Sequence, residues 1–355
     1  MMRLVNRSPF PTELLAFPEA DGQEVELLVF AATYAAAKGG GLTPAPEQRP
    51  VPVADAYFGD PEASSVRYEA AVAIEKPMID VLVNGTAYSP GGRAVAEVVV
   101  ELRAGEIRKS ARVLGDRFQW ALGASSPEPF VSKPVIYERA FGGSVKSDKG
   151  DQAVCRTNPV GVGFRGARSM SPEVLTEYPN VEFIDREPSE SPPAGFGIIS
   201  RAWSPRLEWA GTFDEAWKQN QWPLLPHDFD ARHYQAAPED QQVESLKPGD
   251  PIRLVNFTPD GFWEFPLPHV ELPVWLFADR DASRQTRPRL DTILIEPDSL
   301  TITLIFRLKL LSQRGRSRWR EAVVGPVPPG FIRSREKRKP YLDLRASGKG
   351  LGGDA

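Results

Sequence analysis

Side-chain chemistry needs groups that hold protons, electrons or metal ions, and this chain has few of them. It carries three histidines and one cysteine in 355 residues. One stretch alone combines imidazole with carboxylate: His227-Asp228, followed by Asp230 and His233. Such a set could ligate a metal or put a base beside an orienting carboxylate, as a hydrolase or metal-dependent enzyme requires. The same residues have a plainer use. Asp228 and Asp230 stand among prolines, where a short carboxylate caps a turn, and histidine rings pack against aromatics. The plainer use carries more weight, because the three-histidine and cysteine-rich ligand sets of zinc sites are missing. His269, between Pro268 and Val270, reads as structural.

Nucleophilic chemistry finds no better footing. There is no Gly-x-Ser-x-Gly elbow. Cys155 stands beside Arg156, which favours a thiolate, but a lone cysteine with so few histidines reads as a packing residue. Gly39-Gly40-Gly41 and Gly142-Gly143 match neither phosphate-loop nor dinucleotide spacing, and Gly161-Val162-Gly163 follows Asn158-Pro159 rather than a strand. No cofactor and no metal are implied, and the expectation is a protein that is not an enzyme.

Two passages instead look shaped for presentation. Pro134 to Gly143 (PVIYERAFGG) and Asn158 to Phe164 (NPVGVGF) crowd aromatic, charged and glycine residues into segments with neither strand nor helix periodicity. Aromatic and arginine side chains dominate binding hot spots. Tyr137, Arg139, Phe141, Phe164, Trp203 and Trp217 are therefore the candidate partner contacts. The competing use of any one tryptophan is as a core anchor, since buried aromatics each cover roughly 150–250 Å².

The elements that must hold these residues follow from composition and period. Thirty-five prolines punctuate the chain, about twice the ordinary share. Proline is excluded from helix interiors and central strands, which predicts short strands, ordered loops and few long helices. The fold class expected is mainly β (α+β), an antiparallel β-rich body with long ordered loops and a few short helices. Residues 1–125 read as a β-rich half, 126–250 as a loop-rich aromatic segment and 251–330 as strands on the same body. Residues 331–355 read as a basic flexible tail, its last dozen residues frayed. Residues 301–355 hold 13 Lys and Arg against 4 Asp and Glu. A basic end can bind nucleic acid, but only Trp319 accompanies it for stacking, so a solvated arm is expected. The single cysteine, the lack of a signal-peptide pattern and the short apolar runs predict a cytoplasmic protein with no membrane insertion.

Strands are predicted at Val25–Ala37, Val66–Ile74, Asp80–Tyr88, Ile252–Phe257, Phe262–Leu267 and Leu272–Phe277, with a hairpin joining Thr292–Glu296 to Leu300–Leu308. A hairpin over Val95–Leu114 turning at Ala104-Gly105 would set Glu101 opposite Arg108, Arg103 opposite Glu106 and Leu102 opposite Ile107. Three short helices are predicted: one opened by Ser171-Pro172-Glu173 and ended at Tyr178-Pro179, one over Phe213–Asn220 with Thr212 and Glu215 as a capping box, and one from Pro238 to Leu246.

Segments in a fixed order carry a resemblance. They are Lys76 to Gly92 (KPMIDVLVNGTAYSPGG), the hairpin with Gly115-Asp116-Arg117, YERAFGG, NPVGVGF, Ala194 to Gly197, Gly211 to Trp217, Pro223 to Asp230 and Ala236 to Gln242. Together, over roughly residues 5 to 310, they resemble a bacterial family, long labelled as of unknown function, whose members serve as effector adaptors or chaperones of type VI secretion. The resemblance implies a non-enzymatic partner that binds a cognate toxin effector in the cytoplasm. It further implies help in seating that toxin on the spike of valine-glycine-repeat (VgrG) and PAAR proteins. No catalytic residue carries over, and nucleic acid is not among the expected partners.

Overall fold

In the computed structural model, residues 2–19, 22–37, 41–120, 123–146, 152–164, 176–186, 192–278, 282–311 and 319–341 are described. The chain is mainly β, with several antiparallel sheets and few, short helices. The largest sheet runs in the order Thr12–Pro18, Glu24–Ala36, Thr301–Leu311, Arg289–Glu296, Ile79–Val83 and Gln242–Val243, with Leu42–Pro44 paired beside Glu24–Ala36. One pairing in it is parallel, Arg289–Glu296 against Ile79–Val83, and it joins strands more than 200 positions apart.

A second, five-stranded antiparallel sheet is built on Glu97–Ala104 and Ile107–Leu114, flanked by Val181–Phe183 on one side and by Pro251–Val255 and Phe262–Pro266 on the other. A third sheet of four strands carries Val274–Ala278 and Trp319–Val324 at its centre. Side chains from all three share one core: Phe30, Val83 and Ile293 from the first, Val100, Leu102 and Ile252 from the second, Leu276 and Val324 from the third. Phe196 and Phe257 meet edge to face at 5.2 Å within it.

Glu24–Ala36 shows why so long an apolar run is a strand. Leu28, Phe30 and Ala32 face the shared core while Leu27, Val29 and Ala31 face a smaller cluster on the sheet's other side. A strand covered on both faces loses the polar alternation of a half-exposed one.

Several expectations are corrected. The Glu97–Leu114 hairpin turns at Gly105-Glu106, so Arg103 lies opposite Arg108 and Leu102 opposite Lys109. Gly105 has φ +56 and takes the first central position of the turn, a conformation that favours glycine. That moves the register by two residues, which keeps every side chain on its expected face but dissolves the proposed charge pairs. Arg103 instead binds Glu101 on its own strand at 2.8 Å. Lys109, carried inward with the apolar face, is held by Asp240 at 2.8 Å and lies 5.1 Å from the centre of the Phe196 ring.

The alternating run from Val66 forms a strand only to Tyr68. Beyond it, Glu69 turns to Arg206 and the Ala70 amide donates to the Asp55 carboxylate, so the ladder stops. The Asp80–Tyr88 strand divides into Ile79–Val83 and Thr86–Tyr88. The helix expected from Pro238 is a single turn over Glu239–Gln241. Gln241 ends it by donating from its amide to the carbonyls of Val81 (2.6 Å) and Phe196 (2.9 Å), which pins the chain to the sheet.

The basic end is not a free arm from residue 331: Pro329–Glu336 is a helix with Phe331 buried. Arg335 reaches Glu321 at 3.4 Å, and Ser283 donates to Glu336 at 2.6 Å. The helix predicted at Ser171-Pro172-Glu173, the arginines at 314, 316 and 318, and the glycine-rich end lie outside the described residues. No helix among those described is long and apolar enough to cross a membrane.

Two of the segments that carry the resemblance, Lys76 to Gly92 and Ala236 to Gln242, meet at Asp80. Lys76 and Asp80 form a buried ion pair at 2.6 Å, with Lys76 also donating to Thr292. Gln235 and the Ala236 amide donate to the same carboxylate at 2.7 and 2.8 Å. A buried charge pair with its remaining lone pairs satisfied avoids the penalty of an uncompensated ion. These residues hold the body together beneath the loops.

Candidate partner-binding surface

Two irregular regions, both within 126–250, carry all the nominated residues. The first is the loop cluster of 136–143 and 158–164. Phe141–Gly142 pairs in parallel with Val162–Gly163, an arrangement too short to stand alone. Asn158, fully buried, completes it by donating from Nδ2 to the carbonyls of Tyr137 (2.8 Å) and Phe141 (3.0 Å). Gly161 is required at the crossing, because a side chain there would meet the Asn158 amide at 2.3 Å. The NP-x-G spacing is thus the code for one side chain bonding two backbone turns.

The cluster is tied down on every side. Asn180 donates from its side chain to the carbonyls of Leu114 and Gly115, and its backbone amide donates to Arg139. Glu138 accepts from both the amide and the hydroxyl of Ser65, at 2.7 and 2.8 Å. Tyr137 lies buried with its ring edge-on to Trp203 at 5.6 Å, and burial pushes its phenol far above the ordinary tyrosine range.

Beside the cluster opens a polar cleft of about 480 Å³, lined by Asp116, Arg117, Glu138, Arg139 and Tyr178 among others. Asp116 holds Lys133 at 2.6 Å and Arg139 at 3.5 Å, and the bond from Lys133 keeps its carboxyl below the usual range. Phe141 and Phe164 meet edge to face at 6.4 Å, each half-buried.

The second region is an aromatic lobe over 203–234. Its helix, Glu215–Asn220, is capped by Asp214, whose carboxylate accepts from the Trp217 amide at 2.8 Å. Thr212, the expected cap, is drawn away to Asp228, which accepts from its amide at 3.0 Å and its hydroxyl at 2.7 Å. Trp217 is the pivot of the lobe. Its indole N–H donates to the Leu224 carbonyl at 2.9 Å, Phe213 meets it edge to face at 4.8 Å, and the Trp222 amide donates to its carbonyl at 3.0 Å.

Phe213 and Trp222 then stand out in solvent, 55% and 67% exposed, with Leu207 on the same lobe at 46%. They are the large apolar side chains that this braced frame leaves to solvent. The lobe is anchored from below by buried Arg206, which binds Glu69 at 2.6 Å and donates from Nε to the His233 carbonyl. Burial raises the Glu69 carboxyl, and Arg206 with Arg201 and Lys76 more than offsets this, so it lies below its ordinary value.

Asp228, Asp230 and His233 each serve a neighbour. Asp228 closes the Thr212 turn, and the Thr212 bonds lower its carboxyl. Asp230 caps the turn over Ala231–Tyr234 and holds Arg232 at 2.7 Å, which lowers it as well. His233 donates from Nδ1 to the Arg206 carbonyl at 2.8 Å, packs against Phe229 at 5.8 Å, and is pushed below the ordinary imidazole value by burial. None of the three lines the polar cleft. Among the described residues, no group of three His, Cys, Asp or Glu side chains is placed to hold a metal ion.

Of the nominated contacts, Tyr137 and Trp203 are interior and present no surface, whereas Arg139, Phe141, Phe164 and Trp217 reach it in part. Phe213, Trp222 and Leu207 were not nominated. Phe213 was within reach, since it precedes the Trp217 helix on the same face. Trp222 had no such sign, because a residue between a helix end and a proline follows no period.

Residues 21–307 match the family described as "Uncharacterized protein conserved in bacteria (DUF2169)", and the chain belongs to that family. No curated protein and no solved structure matches the chain.

Proposed function

We propose that this member of a conserved bacterial family is a non-catalytic adaptor or chaperone, which binds a toxin effector polypeptide and helps load it onto a VgrG/PAAR-type spike of type VI secretion. The secretion role rests on the ordered segments from Lys76 to Gln242. The binding role rests on one observation: Phe213 and Trp222 stand exposed on a lobe braced through Trp217. Aromatic anchors on a rigid frame lose little conformational freedom on binding, which is what makes such residues hot spots.

The decisive experiment is co-purification of the full chain with the toxin encoded beside it, comparing wild type with Phe213→Ser/Trp222→Ser. The wild type should retain the toxin, and the double variant should bind it at least about 30-fold more weakly with an unchanged melting temperature. Equal retention by the two proteins would move the contact elsewhere. Failure of the wild type to hold any neighbouring toxin would remove the proposal.

A further inference from the structure

The outer face of the large sheet is covered in a way its inner face is not. Inside, the apolar layer is continuous across all three sheets. Outside it is broken in two: one cluster centres on Leu27, Val29 and Ile305, the other on Leu82, Ile198 and Leu294. Between them lies a half-open cavity of about 280 Å³, floored by Leu82, Leu294, Thr303 and Ile305. The floor is two adjacent cross-strand rows, for Leu294 is in register with both Leu82 and Thr303, and Thr292 with Ile305. The walls are kept back by small side chains, Ala54, Ala56, Ala70, Ala71 and Ala236.

A gap in an apolar layer forfeits the contacts on both sides of it. This one has roughly twice the 150 Å³ of an engineered apolar cavity that takes up benzene. Its charged lining is lopsided. Arg49, Lys76 and Arg307 line it, while the carboxylates that hold them, Glu296, Asp80 and Asp291, are not part of the lining. Among the described residues that line it, Glu69 is the one anion, and it is engaged by both Arg206 and Arg201. The cavity therefore offers an apolar bed with cationic groups around it.

We propose that this cavity is a binding site for a small amphipathic acid, an aliphatic or aromatic chain of modest length ending in a carboxylate. The chain joins the two outer clusters into one layer, and the carboxylate lies at the rim beside Arg49. The site is separate from the aromatic lobe and does not depend on the adaptor reading.

The test titrates the full chain with octanoate, octanol and octylamine, following heat of binding and melting temperature. Octanoate should bind and raise the melting temperature, octanol should bind about tenfold more weakly, and octylamine should not bind. Ala71→Phe fills the cavity and should abolish octanoate binding. Arg49→Met, at the half-exposed rim, should weaken octanoate about tenfold and leave octanol unchanged, which keeps the test decisive if Ala71→Phe does not fold. Octanoate and octylamine binding alike, no probe binding to the wild type, or undiminished octanoate binding by folded Ala71→Phe would each overturn the site.

Discussion

The loop cluster of 136–143 and 158–164 and the aromatic lobe of 203–234 both set aromatic rings in irregular backbone and do opposite things with them. Both carry several aromatics, the cluster with four glycines in its two segments and the lobe with one. In the cluster the polar side chains turn inward: Asn158 bonds two carbonyls, Asn180 bonds two more, and Tyr137 closes on Trp203. In the lobe Asp214, Asp228 and Asp230 each close one turn at the rim, and Phe213 and Trp222 are left outside. Irregular backbone that hides its rings is a structural joint. Irregular backbone that shows them is a surface.

If that contrast holds, substitutions in the cluster should act on stability and those in the lobe on binding. Tyr137→Ala should have the largest effect, a loss of about 4 kcal/mol in urea denaturation, as expected for removing a buried aromatic ring. A loss under about 1 kcal/mol would mean the Tyr137 pocket can collapse or open. Asn158→Ala comes next, at about 3 kcal/mol, because two buried carbonyls lose their donor at once. Phe141→Ala sits at the boundary. Half-buried, it should lower stability by about 1–2 kcal/mol and leave toxin retention intact. Loss of retention in a folded Phe141→Ala protein would make the cluster, not the lobe, the contact surface.

How much of this was legible in the sequence differs between sheet and loop. Where a strand has one face in the core, alternation marks it, and the inward residues of the Glu97–Leu114 hairpin, Val98, Val100 and Leu102, are all buried. Its register was not legible, because a slip of two residues leaves the apolar pattern unchanged and only the turn at Gly105 decides. The run from Val66 kept strand periodicity past Tyr68, yet Glu69 is claimed by Arg206, some 137 positions away. A side-chain bond of that length in sequence has no local signature. The same holds at the surface. Trp203 and Trp222 are both tryptophans beside proline-containing turns, one buried and one exposed, and what separates them is Tyr137 packing on the first. The segments 134–143 and 158–164 were legible as unusual, but that they hold shape rather than make contact follows only from where Asn158 points.

The smallest effect distinguishes a structural histidine from a working one. His233 donates from Nδ1 to the Arg206 carbonyl and is held below the ordinary value of 6.5, chiefly by burial. The folded protein therefore takes up the His233 proton less readily than the unfolded chain. Below about pH 6.5 the unfolded chain binds more protons at this site, so the stability it contributes is full above that pH and falls as pH drops through the window beneath it. The Glu69 carboxyl, also lowered, contributes above its ordinary value of 4.5 and loses that contribution only in more acid solution. Denaturation midpoints between pH 7.5 and 5.5 thus isolate the imidazole from that carboxylate. His233→Asn keeps an N–H donor near the Arg206 carbonyl and cannot titrate. It should flatten the decline in stability across that interval while leaving stability at pH 7.5 and toxin retention near wild type. An unchanged slope would mean the ring is protonated as easily in the folded lobe as outside it. Lost retention with an unchanged fold would bring His233, with Asp228 and Asp230, back as part of a working site.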